Sequence, residues 1–296
     1  MKKMRMGWLG VVLVSALVAF MVVKLLSPAP IVGGSGAAVA EGAFERVLRT
    51  GVLRCSYIVY PPETIKDPTT GELSGVVVDV TEEAAKRLGL KVEWVEEVNF
   101  SNMFEGLKAG SHDAVCAGIW ENPRRARVAL FTTPIDYGLT FAFVRGGDKR
   151  FDADIMKINS PEVTIAVLDG EFGEYLAKER FPKAKLYHLP STSDVAQVPE
   201  TVASGKADVA FAQKGPMKLY MQHNPGKLRV AGVGDNPAPI SAMPGNPIAV
   251  RYEDWKLKLM LDAALKNLIN NGFVEEVIRK YDPKLDSYAL VAVPFR

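Results

Sequence analysis

At 296 residues the chain is too long for one ordinary core and suits two lobes of typical size plus an N-terminal extension. Its composition, 48% hydrophobic and 24% charged, is that of a globular protein. The net charge of +2 comes from the first forty residues, where Lys2, Lys3, Arg5 and Lys24 meet no acid; the remainder holds 32 basic against 34 acidic residues, a balance that gives no sign of a nucleic-acid surface.

Residues 7–23 form an uninterrupted apolar run that includes Trp8 and is followed by Lys24. A helix of that length spans roughly 26 Å, near the ~30 Å hydrocarbon core of a membrane. Basic residues before the run put the N-terminus in the cytoplasm and the bulk of the chain outside. Ala38-Val39-Ala40 looks like a cleavage site but lies well beyond the run. Residues 1–26 are therefore expected to be a signal anchor on the extracytoplasmic face of the cell membrane, with a periplasmic protein as the alternative if it is cut. Residues 27–43, rich in Pro, Gly, Ser and Ala, read as a flexible tether.

The folded part is expected to begin near Phe44 with a helical lead-in, then a strand at 52–59, Tyr60-Pro61-Pro62, and a turn at 67–71. Residues 75–80 (GVVVDV) run into an amphipathic helix stopped by Gly89, with Asp79 as a helix-start residue. A strand at 91–96 follows, then a helix capped by Ser101 and ending at Gly110, and a buried strand at 113–118. Asn122-Pro123 predicts a helix start with Arg124 and Arg125 in its first turn. That end of a helix already carries partial positive charge, so an arginine kept there needs an anion.

A strand at 140–145 leads to Gly146-Gly147-Asp148, the predicted crossing between lobes. Strands at 163–168, 185–188 and 208–212 then alternate with helices at 171–180 and 193–204, which indicates parallel βαβ units and a second α/β lobe. GKADVA at 205–210 echoes GSHDAV at 110–115 as a recurring helix-end, Gly-x-x-Asp, strand unit. PGNPIAV at 244–250 reads as the return crossing, and two closing helices, 252–271 and 273–281, are separated by Asn271-Gly272.

Residues 106–137 carry a helix, a Gly-x-x-Asp-Ala strand, Ala-Gly, Pro-x-Arg, then an aromatic and Pro. This order resembles the ligand-gripping segment of the family 3 extracellular solute-binding proteins, the type II periplasmic binding proteins of amino-acid ABC importers. The Gly-Val-Val-Val-Asp run at 75–79 and the Leu-x-x-Ala-Leu, Asn-Gly, Lys-Tyr ending extend the resemblance over about residues 52–281. It implies a two-lobed α/β fold with a hinge, lobe 1 at 44–145 and 246–296 and lobe 2 at 146–245. It also implies a cleft that captures a small polar solute, amino-acid-like or carboxylate-bearing, for an ABC permease. No cofactor, metal or catalysis is expected. Cys55 and Cys116 fall on strands that are neighbours in the family's sheet; they are read as buried free thiols in place of valine, with a disulfide as the alternative.

By the same resemblance, Arg125 forks onto the solute's carboxylate, for which a planar guanidinium is suited; Arg124 and Arg127 are read as a solvated face. Tyr60, Phe100 and Trp120 are candidate walls, and Gly118 and Phe172 complete the set. Three positions depart from the family pattern. Asp169-Gly170-Glu171-Phe172-Gly173 stands where a Gly-Ser or Gly-Thr pair is usual, Gln213 stands where an acid grips the amine, and Trp120 where a small hydroxyl residue is common. Either the amine contact has moved to Glu171, or the solute has no amine and Gln213 meets a neutral group. Two rivals are a lyase similar to cyclohexadienyl dehydratase, with Glu171 or Glu174 as acid or base, and a ligand-sensing ectodomain.

Overall fold

The structure is a computed structural model that describes residues 41–234, 237–285 and 287–292. The expected signal anchor and residues 27–40 of the tether lie outside the described residues, among which no helix is long and apolar enough to cross a membrane. The first helix, Ala43–Thr50, is tied at its start by Asp254 Oδ1, which accepts from Ala43 N at 2.8 Å. It stops at Gly51, whose φ of 68° favours glycine.

Strands follow in the order β1 Val52–Tyr57, β2 Ile65–Lys66, β3 Leu73–Ser74, β4 Lys91–Glu97, β5 Ala114–Val115, β6 Ala129–Phe131 and β7 Asp136–Arg145. After them come β8 Thr164–Leu168, β9 Lys185–Leu189, β10 Val209–Gln213, β11 Leu228–Val230, β12 Ser241–Ala242, β13 Ala249–Arg251 and β14 Tyr288–Leu290. The first sheet has the order β4-β1-β5-β13-β6, with β1 parallel to β4 and β5 and with β13 antiparallel to β5 and β6. Its helical cover is Val76–Arg87, Trp255–Asn270 and Phe273–Tyr281. The first of these begins at Val76, three residues before Asp79. Val76, Val77 and Val78 are all buried, so their packing outweighs the weak helix propensity of β-branched residues.

The second sheet has the order β11-β7-β10-β8-β9, with β12 and β14 also paired to β7. Alternate residues go to opposite cores: Ala142, Val144, Ile165, Val167, Val209 and Phe211 to one, Phe141, Phe143, Ala166, Leu168, Ala210 and Ala212 to the other. Burial on both faces explains why these strands read as continuous apolar runs.

Two expectations need correction here. The chain does not cross at Gly146, since β7, predicted as the last strand of lobe 1, is internal to the second sheet and the crossing falls at its start, Asp136. Gly146 instead makes a tight turn inside lobe 2, where an added Cβ would lie 2.0 Å from the Gly226 carbonyl oxygen. The C-terminal strand β14 likewise pairs with β7, from Tyr288 opposite Gly138 to Leu290 opposite Asp136, rather than with lobe 1. Second, Cys55 and Cys116 are a disulfide and not free thiols. Register explains it: Cys55 is paired with Ala114 on the adjacent parallel strand, which brings the two cysteine Cα atoms to 5.5 Å.

The remaining differences are local. The predicted helix at 193–204 is shortened to Gln197–Ala203, and Lys214–His223 is a helix that the reading of the chain lacked.

Candidate functional site

Where the lobes meet they leave a narrow cavity of about 20 Å³, room for about one water molecule with the lobes in this closed position. From the first lobe it is bordered by Tyr60, Glu63, Phe100, Gly118 and Trp120; from the second by Glu171, Gln213 and Met243; and from the return crossing by Asn246. Of the residues singled out in the sequence, Tyr60, Phe100, Gly118, Trp120, Glu171 and Gln213 thus share one space, whereas Arg125 and Phe172 lie behind it.

Tyr60 and Glu63 come from one tight loop, closed by Tyr60 N donating to Thr64 O and Thr64 N to Tyr60 O. The loop's Pro62 and Glu63 carbonyls accept from Val76 N and Val77 N, so the start of the Val76–Arg87 helix fixes it. Phe100 stands edge-on to Tyr60, centroids 6.4 Å apart. Trp120 crosses the seam and packs into the core of the second lobe, 5.1 Å from Phe172 and from Tyr175.

Arg125 sits in a single 3₁₀ turn, Arg125–Arg127, and not at the start of a longer helix; Asn122 Oδ1 accepts from Arg124 N and Arg125 N. Arg124 and Arg127 are exposed while Arg125 is buried. Its guanidinium stacks 4.2 Å from the Trp120 ring centroid, donates to Trp120 O at 2.7 Å and reaches across the seam to Gly170 O at 3.0 Å. Burial lowers its pKa to about 10, partly offset by Glu171, so it stays charged at neutral pH.

Glu171 is the N-cap of the helix Phe172–Arg180: Oε2 accepts from Gly173 N at 2.6 Å, while Oε1 faces the Tyr60 hydroxyl at 3.5 Å. Desolvation raises its pKa to about 7 against the pull of the Gly173 and Phe172 N–H groups. The same burial, with Glu171 and Glu63 nearby, raises the Tyr60 hydroxyl well above its usual range.

Three functional groups were missed in the sequence. Asn246 Nδ2 donates to Glu63 Oε1 at 3.1 Å and to Asp136 Oδ1 at 2.7 Å, bridging two buried carboxyls. Burial and Asp136 push Glu63 well above the usual carboxyl range, and burial pushes Asp136 to about 7. Glu63 Oε2, Asp136 Oδ2, Gln213 Oε1 and Trp120 Nε1 are all buried without a hydrogen-bond partner. Gln213 gives its Nε2 only to the Met243 sulfur, at 3.5 Å. Each such group costs about 1–3 kcal/mol, so this many around one cavity points to a polar occupant.

Among the described residues one other group could meet a cation, Asp169, Glu174 and His188, with ligand atoms within 4.8 Å. It is partly exposed and internally paired, His188 to Asp169 at 2.6 Å and Glu174 to Lys178.

Two α/β lobes shut on a cavity lined from both sides define a two-lobed periplasmic-binding-protein fold. The model of the bacterial extracellular solute-binding proteins, family 3, matches residues 54–284, and the chain belongs to that family. Cyclohexadienyl dehydratase of Pseudomonas aeruginosa is 27% identical over 187 residues, 62% of this chain and 68% of that protein. An amino-acid-binding protein of Dichelobacter nodosus is 29% identical over 222 residues, 74% of this chain and 81% of that one. In structure, the chain is similar to an ancestral amino acid-binding protein described as a precursor of cyclohexadienyl dehydratase. The TM-score there is 0.69 at 24% identity, covering 81% of this chain and 99% of the other, which supports the fold alone.

Proposed function

We propose that this protein captures a small polar solute, amino-acid-like or carboxylate-bearing, in the interlobe cleft and passes it to an ABC permease. It does so on the extracytoplasmic face of the cell membrane, held there by residues 1–26. The observation that carries the reading is Arg125, a buried cation that joins the lobes through Gly170 O. Two of its five N–H groups are engaged by carbonyls; the guanidinium lies behind the closed cavity, and its other N–H groups serve the solute's carboxylate once the lobes part enough to admit one. Tyr60, Phe100 and Trp120 supply π surface, Phe172 backs Trp120, and Gly118 leaves room. Glu171 meets the solute's amine, and Gln213 contributes its free amide oxygen. The Cys55–Cys116 disulfide suits an oxidising compartment.

A thermal-shift screen of amino acids, polyamines and small carboxylates tests this, because a ligand that prefers the folded form raises its Tm. At least one carboxylate-bearing compound is expected to do so. If no compound does, the capture reading fails. For the compound found, calorimetric affinity unchanged in Glu171→Gln would remove Glu171 from the amine contact.

A second reading, an extracytoplasmic lyase, is favoured by one observation: Glu171, at about 7, can give and take a proton near neutral pH inside the cleft. Incubation with prephenate or arogenate and product analysis separates the two. Turnover abolished by Glu171→Gln supports the lyase; recovery of the compound unchanged supports capture.

A further inference from the structure

Glu63 and Asp136 are joined through a single amide, and neither has a cationic partner among the described residues. Asn246 Nδ2 supplies one hydrogen to each carboxyl; Asp136 Oδ2 and Glu63 Oε2 make no hydrogen bond of ordinary geometry, although the Tyr288 hydroxyl comes close to Glu63. Two like charges that close cannot both ionise in a buried site unless a third charge arrives.

Glu63 is the member that borders the cavity; Asp136 lies behind it. Opposite Glu63 Oε2 the wall is Gly118, at φ 59°, where an added Cβ would lie 3.7 Å from that oxygen and 2.8 Å from Val77 Cγ2. A side chain there would occupy the approach to the carboxylate. On the far side, Gln213 Oε1 is a second unpartnered acceptor in the same cavity, against one unpartnered donor, Trp120 Nε1, and no cationic side chain borders the space.

Every titratable group near the pair is acidic or phenolic. Glu171 faces the same cavity from the lobe 2 helix, Tyr60 comes from the loop of Glu63, and Tyr288 comes from β14 with Asp282 close to it. Arg125 is turned to the Trp120 and Gly170 carbonyls and does not border the cavity. A cation brought by the solute would be the charge that this end of the cleft lacks.

We propose that Glu63 and Asp136, linked by the Asn246 amide, hold a proton between them in the empty cleft and release it when a cationic group of the solute docks beside Glu63. Capture is thereby coupled to proton release. The inference rests on the cleft being a solute site and adds to it the class of solute: one carrying an ammonium, amidinium or guanidinium apart from the carboxylate held near Arg125. The balance is one cation in and one proton out to solvent, so the pair and its guest keep the same net charge. The burial that raises both carboxyls is consistent with a proton retained near neutral pH.

The test uses the whole protein with named probes: L-arginine, L-lysine and putrescine as cations, L-citrulline and L-glutamine as neutral counterparts. A cationic probe is expected to raise Tm more than its neutral counterpart. Its affinity should rise up to tenfold per pH unit between pH 5 and 6.5 and level off above pH 8, the slope of one-proton linkage. Calorimetry at pH 6 in buffers of different ionisation enthalpy should find close to one proton released per probe bound. Glu63→Gln should lose at least tenfold in affinity for the cationic probe. Asp136→Asn separates the mechanism from a structural role: it removes the neighbouring charge but not the burial that holds Glu63 up, so binding of the probe should release less than the wild-type proton at pH 6, and the pH dependence of its affinity should move to lower pH. Neutral probes binding as tightly as cationic ones, or cation binding with no proton released, overturns the proposal while leaving solute capture intact. If no probe here and no compound in the wider screen binds, the capture reading falls and this one with it.

Discussion

Glu171 divides its oxygens between two tasks, Oε2 to cap a helix and Oε1 to face Tyr60 across the seam. Raised to about 7, it keeps a proton in the folded protein that the unfolded chain releases between about pH 4.5 and 7. The folded state is therefore favoured at the low end of that window, loses stability as pH rises through it, and levels above about 7. Glu171→Gln removes this dependence while keeping an oxygen for Gly173 N. Discounted for its partial exposure, the effect is about 1–2 kcal/mol, so the variant should melt a few degrees above the wild type at pH 8 and match it near pH 4.5. Equal melting temperatures at pH 8 would show that the carboxyl ionises without penalty. Glu171 and Gln213 were visible in the sequence because each stands where the family's pattern has a different chemistry. Glu63, Asp136 and Asn246 were not. An acid after Tyr-Pro-Pro, an acid before a strand and an asparagine between prolines look the same whether solvated or buried, and burial here comes from β7, β14 and the return crossing meeting in space.

The recurring Gly-x-x-Asp element was legible as a unit, and its physical role is now clear in both copies. Asp113, before β5, accepts from Arg54 N on β1 at 2.8 Å and pairs with Arg46 and Arg54. Asp208, before β10, accepts from Thr164 N at the start of β8 at 2.9 Å and pairs with Arg145 and Arg150. In each lobe one acid therefore locks two parallel strands in register. The environments differ, since the Asp113 side chain is 1% exposed and that of Asp208 is 20% exposed. Asp113→Ala strands two arginines in a drier site and should cost about 3–5 kcal/mol, with Asp208→Ala costing less, read as midpoint shifts in urea unfolding. An equal or reversed order would contradict burial as the cause. The disulfide belongs to the same strand pair; breaking its link across 61 residues should cost about 4 kcal/mol, seen as a lower midpoint under reductant. What could not be read locally was which lobe owns β7. Gly146-Gly147-Asp148 signals a turn equally well within a lobe or between two, and only the pairing of β7 with β10, β11, β12 and β14 decides.

At the scale of the whole molecule, the lobes are held shut by few contacts across the seam. Arg125 reaches Gly170 O, Tyr60 nears Glu171, Ser191 Oγ donates to Ser101 Oγ at 3.0 Å, and Trp120 inserts against Phe172. The exposed serine pair adds little, and Trp120 is apolar packing that any occupant leaves in place. Of these contacts, Arg125 is the cation, and its geometry depends on the second lobe. It should therefore link closure to solute: a carboxylate beside it gains most when Gly170 is also within reach. Arg125→Lys keeps the charge but cannot span the Trp120 and Gly170 carbonyls and a carboxylate together, because an ammonium lacks the planar fork. The variant is expected to lose about 2–5 kcal/mol of affinity, roughly 30-fold or more in Kd, for a carboxylate-bearing solute identified by thermal shift. Without solute, it should also open further, read as a larger radius of gyration in small-angle scattering than the wild type. A lysine variant that binds and closes like the wild type would reduce Arg125 to a packing residue over Trp120, and the carboxylate would have to be held elsewhere in the cleft.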